Sequence, residues 1–339
     1  MRGSQNAYCS ASFLDKIIRE RKKDMSMSRA FNILNKLSDI YVDLTIDELK
    51  KLINADEVYK RLAKRENRSF KARKEWISCF SPSKTCDDIA LIEEGDLVDY
   101  KQIRNDFGCL IIADNPNDIK KFDVYSKMHP FNLVPDSDKI DDPTIYYHDS
   151  WEQFFKEFNI NPINSLIITD NYIFSGKLEE QKKFSLFPLL KSIVPKNLSC
   201  DFHLTVFICN LPNSNGLAPL SRDKAETLID EIRALDLCPS LKVTIVAHTI
   251  KSTTHDRELV TNYHYMQSGH GFGVMDKNGV KDIARGQLQH VFCGVDSYVT
   301  TKQLQAETVM WLKPIFEGKK GGDSQYSFIV GDKINRLFD

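Results

Sequence analysis

Apolar residues recur at helix-like spacing through the opening of the chain. Phe13, Ile17, Phe31, Leu34 and Leu37 lie in a stretch, Phe13 to Leu37, without glycine or proline, and this predicts helix. Thr45-Ile46-Asp47-Glu48 has the form of a helix start, a hydroxyl cap with acids in the first turn. The helix it opens is expected to run to about Trp76, and Pro82 closes this section. Gly108 to Asp114 reads as a short buried strand that ends in an acid and Asn-Pro. From 130 to 145, Pro130, Pro135, Pro143 and several aspartates break the pattern, which predicts a loop or linker.

Beyond it the pattern alternates between apolar runs and amphipathic stretches. Ser165 to Thr169 is a buried strand ending at Asp170, and a helix follows at about 177 to 193. His203 to Cys209 is the next strand. Ser221 caps an amphipathic helix to Leu235, with Ala225, Leu228, Ile229, Ile232 and Leu235 on one face. Leu241 to Ala247 is a third strand, with further strands at 257 to 262 and 271 to 276 and a closing helix at about 298 to 316. Strands alternating with helices predict an α/β sheet with helices on its faces. The expected division is a helix-rich α+β region over 1–150 and an α/β domain over 151–339.

Composition adds bounds. A chain of 339 residues fits about two domains. Its 42% hydrophobic and 27% charged content is ordinary for a globular protein. No apolar run reaches the roughly 18 residues of a membrane span, and the start has no apolar secretory signal. The eight cysteines form no Cys-x2-Cys pair, which favours a reducing cytoplasm and argues against a disulfide framework or zinc knuckle. Net charge is −1 but uneven, with +7 over residues 1 to 75 and −9 over 85 to 150. The near-zero total argues against a protein wholly dedicated to nucleic acid.

The densest chemistry lies between 255 and 276. His255, Arg257, Leu259 and Thr261 share a face if this segment is extended. An arginine fork suits phosphate oxygens, and a histidine beside it could attack phosphorus or move a proton. Gly269, Gly271 and Gly273 would let backbone come close to a bound group.

This spacing resembles the phospholipase D superfamily signature, His-x-Lys-x4-Asp-x6-Gly-Ser-x-Asn. His255 and Gly269 match it, while Arg257 stands at the Lys position, Asn262 at the Asp, His270 at the Ser and Phe272 at the last Asn. The His-Asp-Arg variant resembles the phospholipase D-like domain at the C-terminus of MIT-domain proteins and is also similar to bacterial relatives with a single such unit. The resemblance covers about 160 to 316, and Asp170-Asn171-Tyr172 sits where that fold's first strand has its acidic exit. It implies a phospholipase D-like sheet flanked by helices. It also implies two motif copies meeting across a dyad, one His attacking phosphorus and the other protonating the leaving oxygen, with no metal and no cofactor. This chain has one copy, so such catalysis implies a homodimer. The implied catalytic set is His255, Arg257 and Asn262, and the implied ligand-binding set is Asp170, Tyr172, Gly269, His270 and Gly271.

A second candidate is a basic run of eight cations between Lys60 and Lys74. On a helix, Arg61, Lys64, Arg65 and Arg68 would share a face able to meet phosphates, or simply to be solvated. Gly318 to Gly322 reads as a flexible loop. Walker, dinucleotide and metalloprotease motifs are absent. Two functions follow. One is a phosphate-recognising module with degenerate or no catalysis, for nucleic acid, a nucleotide or a phosphoinositide headgroup. The other is a metal-independent phosphodiesterase of nuclease type, acting as a homodimer. A protein-interaction scaffold is the third.

Overall fold

A computed structural model describes residues 5–76, 88–97, 99–122, 128–133, 147–158, 162–170, 178–211, 218–250, 257–269, 271–280, 284–290 and 301–339. The protein is α/β. Its contacts divide it into two compact units, Met1–Lys127 with His290–Ala306 and Met128–Gln289 with Glu307–Asp339.

The first unit holds five strands, β1 (Gln5–Cys9), β2 (Ser38–Val42), β3 (Phe70–Ala72), β4 (Ile89–Ile92) and β5 (Leu110–Ala113). They pair in the order β3-β2-β1-β4-β5, all parallel. This is a doubly wound sheet, in which the chain moves outward from β1 first one way and then the other. The opening section thus holds more strand than its helix-like spacing predicts. In place of one helix over Phe13 to Leu37 there are two, Ala11–Glu20 and Met25–Leu37, the second capped by Asp24, whose carboxylate accepts from Met27 N–H at 2.8 Å. The predicted cap at Thr45 forms a complete capping box with Glu48. The helix it opens ends at Ala55 rather than Trp76, because Asp56 is extended and starts a second helix, Glu57–Ala63.

The second unit continues with β6 (Met128–Leu133), β7 (Tyr147–His148), β8 (Ser165–Thr169), β9 (Phe202–Cys209), β10 (Leu241–His248), β11 (Arg257–Thr261), β12 (His264–Ser268), β13 (Met275–Asp276), β14 (Gly279–Val280), β15 (Ala284–His290) and β16 (Phe328–Gly331). Nine of them form one mixed sheet, ordered β16-β10-β9-β8-β11-β12-β15-β6-β7. β8, β9 and β10 are parallel, and β11 and β16 flank them antiparallel. β6 replaces part of the loop predicted from 130 onward, and 134–146 lie outside the described residues. The strand expected at 271 to 276 shrinks to β13, because residues before it form a turn.

One face of this sheet carries the core. Leu166, Ile168, Val206 and Ile245 pack with Leu228, Ile229 and Ile232 of the helix Arg222–Arg233, which Ser221 caps as predicted. Each such aliphatic side chain removed from water contributes about 1.5–3 kcal/mol. The segment from Asp332 to Phe338 is tied down by polar bonds. Asp332 accepts from Val243 N–H at 2.7 Å, and Asn335 Nδ2 donates to Thr205 Oγ1 at 3.0 Å. The Arg336 guanidinium donates to the carbonyls of Asn164 and Asp201, and the backbone N–H of Arg336 donates to His203 Nδ1 at 3.0 Å. Phe338 stacks on Phe316 with ring centroids 4.4 Å apart.

Candidate functional site

The parallel strands of the large sheet end together, and Asp170, Arg257, Gly269 and Gly271 lie at that end. β11 runs antiparallel to β8 with Glu258 opposite Thr169, and Arg257 and Asp170 are the residues just beyond that pair at the end of the sheet. On its other side Arg257 pairs with Ser268 of β12. Directly opposed residues share a face, so Arg257 and Ser268 form one row across two strands.

The glycine turn that follows β12 closes over this row. Arg257 Nη1 donates to the Gly269 carbonyl at 2.5 Å, which orients the guanidinium. Ser268 Oγ donates to the Gly271 carbonyl at 2.9 Å. Asp170, 1% exposed, accepts from Phe272 N–H at 2.7 Å. Gly271 has φ +78°, and a Cβ there would lie 2.8 Å from Asp170 Oδ2. The close approach that the glycines permit is therefore to a carboxylate of the chain itself. Downstream, Ser185 Oγ exchanges hydrogen bonds with the N–H (3.2 Å) and carbonyl (3.1 Å) of Met275. The Phe272 ring is buried 6.2 Å from that of Trp151. Phe272, where the signature has a polar Asn, is thus a core residue.

Asn262 does not join the row. It lies at the turn between β11 and β12, fully buried, and its Oδ1 accepts from Asn164 N–H at 3.1 Å. A strand rises about 3.3 Å per residue, so it is roughly 16 Å from Arg257 along β11. Its side chain holds the Asn164 backbone at this turn. His255, His270 and Tyr172 lie outside the described residues.

The basic run also departs from its expected form. The helix ends at Ala63, so Arg61, Lys64, Arg65 and Arg68 do not share a helical face. Arg65 is turned inward instead. It donates to the carbonyls of Leu62 (2.9 Å), Leu34 (2.5 Å), Asn35 (3.1 Å), Ser38 (2.9 Å) and Ser69 (2.9 Å). It ties a helix end to β2 and to the approach to β3. Arg61 and Lys64 are exposed, and Arg68 donates to the Asn67 carbonyl at 2.9 Å.

Other polar groups escaped the sequence reading. Ser185 sits in a π-helical turn, Lys182–Leu186, that no local pattern announces. Glu258 and Tyr265 form a 2.7 Å hydrogen bond on the face of the sheet opposite Arg257. His248, at the end of β10, packs edge-on to Trp311, and burial pulls its imidazole down to about 4. At the carboxyl ends of the first unit's strands, Ser10 bonds Asp96 and Lys16 pairs with Asp114 at 2.7 Å. Among the described residues no group of three or more His, Cys, Asp or Glu is arranged to hold a metal, and no helix is long and apolar enough to cross a membrane. No protein-family model matches the chain, and no curated protein matches it either.

Proposed function

We propose that the second unit is a phospholipase D-like, phosphate-recognising module with degenerate or no catalysis, working in the cytoplasm. The observation that carries this reading is the Arg257 row: a guanidinium oriented by the Gly269 carbonyl, at the end of the sheet where the parallel strands stop. Strand carboxyl ends are where open α/β sheets bind ligands, and an arginine fork is the side chain best matched to phosphate oxygens. The ligands that fit are a nucleic acid, a nucleotide or a phosphoinositide headgroup. The buried, structural Asn262 and the single motif copy favour binding over turnover.

The alternative is a phosphodiesterase in which two copies of the chain bring two His255 together. Titration of the full chain with a labelled oligonucleotide, ATP and phosphoinositide vesicles tests the module. Arg257→Ala is expected to weaken binding of the preferred ligand by about 1.5–3 kcal/mol. Binding indifferent to Arg257 sinks the reading and leaves a protein-interaction scaffold. Hydrolysis of a generic phosphodiester that survives EDTA, vanishes in His255→Ala and falls on dilution would establish the dimeric enzyme instead.

A further inference from the structure

β9 and β10 finish on a thiol and an imidazole. Val206, Ile208, Val243 and Ile245 turn to the core beside the helix Arg222–Arg233, so alternation turns Cys209 and His248 to the opposite face. The two are paired in register, on strands about 4.8 Å apart, which sets their side chains next to each other. Both reach Ile250. Its carbonyl accepts from Cys209 Sγ at 3.6 Å, and its backbone bonds the His248 ring in the sense that favours a proton there. His248 is 3% exposed, and its Nδ1 has no hydrogen-bond partner. The neutral ring therefore carries its proton on Nε2, and Nδ1 keeps an unused lone pair beside the thiol. A buried polar atom without a partner is costly, and such an atom is one mark of an ion site. Cys209 is partly exposed, which gives an ion a way in, and Trp311 stands edge-on to the His248 ring at 6.0 Å.

We propose that Cys209 Sγ and His248 Nδ1 form a two-coordinate site for copper(I). Thiolate and imidazole are ligands that this soft ion takes readily. Copper(I) binds two ligands in line and needs no third side chain, which matters because the described residues hold no group of three or more His, Cys, Asp or Glu arranged around a metal. Zinc, calcium and magnesium require four or more ligands, and this pair does not suit them. Binding forms a copper–sulfur and a copper–nitrogen bond, breaks the thiol S–H bond and releases its proton to water, with no change of oxidation state. The Ile250 carbonyl is then the outer partner that fixes the tautomer and orientation of a metal-bound imidazole. The site is independent of how Arg257 is used.

The test uses the full, reduced chain, titrated with copper(I) without oxygen against bathocuproine disulfonate, whose colour reports the copper it keeps. Wild type is expected to withdraw a single equivalent ahead of its other thiols. Cys209→Ser and His248→Phe are each expected to hold that equivalent at least about tenfold more weakly, the low end of what damage to a metal site costs. Cys238→Ser, before the start of β10, is expected to leave it unchanged. An ion beside Trp311 is also expected to quench that indole, and the quench disappears in Trp311→Phe. Equal retention by Cys209→Ser or His248→Phe, with circular dichroism showing the variant folded, overturns the site. So does a wild-type chain that withdraws no such equivalent, or whose Trp311 emission does not change on binding, and both of those results stand even if neither ligand variant folds. Zinc(II) held as tightly through the same two residues overturns the assignment to copper(I).

Discussion

At Gly271 the addition of a single methyl group has two separable costs. The backbone there is left-handed, and the carboxylate of Asp170 occupies the space a Cβ would take. Gly279 is also left-handed, with φ +104°, but a Cβ there meets nothing within 4 Å. Gly279→Ala is therefore expected to cost only backbone strain, about 1 kcal/mol, and Gly271→Ala about 2–3 kcal/mol. Urea unfolding of both variants checks this, and equal losses would show that the Asp170 contact is soft. Arg65 makes the complementary point about charge. Its planar fork serves five carbonyls from three stretches of chain, a geometry that a lysine ammonium cannot copy. Arg65→Lys is expected to lower stability by about 2–4 kcal/mol despite keeping the charge, read as a drop in melting temperature. A variant that melts like wild type would return Arg65 to the surface set of cations.

Elements differ in how far their sequence exposes them. β8, β9 and β10 are rich in apolar residues and buried along most of their length because both faces of a central parallel strand are covered, and such segments are visible without any partner. β1 and β2 are short, each carries polar residues alternating with buried ones, and their pairing is with distant segments, so helix-like spacing nearby obscured them. β6 was hidden by Pro130. β7 reaches only Asn132 and Leu133, so beside Pro130 one side of β6 has no partner strand among the described residues, the setting in which a strand tolerates proline. Part of the candidate site was legible: period-two alternation and strand order together bring Asp170, Arg257 and the glycine turn to one sheet end. The role of Asn262 was not, because motif spacing does not say where a hairpin turns. Nor was Ser185, since its π-helical turn depends on the contact it makes with β13. Ser185→Ala leaves a buried N–H and carbonyl of Met275 without that hydroxyl, and a loss of about 1–3 kcal/mol is expected by chemical denaturation. A loss below about 0.5 kcal/mol would mean the turn is held by packing alone.

Among the described residues, acid sensitivity is expected from two of the buried imidazoles, His203 and His248. Burial, with the Arg336 charge adding to it, pulls His203 down to about 4, and burial pulls His248 to the same value. An unfolded histidine takes its proton near 6.5, so the unfolded state binds more protons between that pH and about 4. Stability is thus complete above pH 6.5 and is lost as pH falls through this window, by up to about 3 kcal/mol per histidine. His203→Gln and His248→Phe are each expected to flatten the acid limb of a stability–pH curve, and an unchanged slope in both would place the sensitivity elsewhere. His203 meets its partner through the segment from Asp332 to Phe338, and this has a consequence for biogenesis. β8 and β9 leave the ribosome well over a hundred residues before Asn335 and Arg336, which bridge them. During that interval the large sheet lacks both β16 and its polar ties, and nascent chains stalled before residue 328 should be protease-sensitive and dependent on chaperones. Emergence of residues 328 to 338 would then lock three strands in one late step.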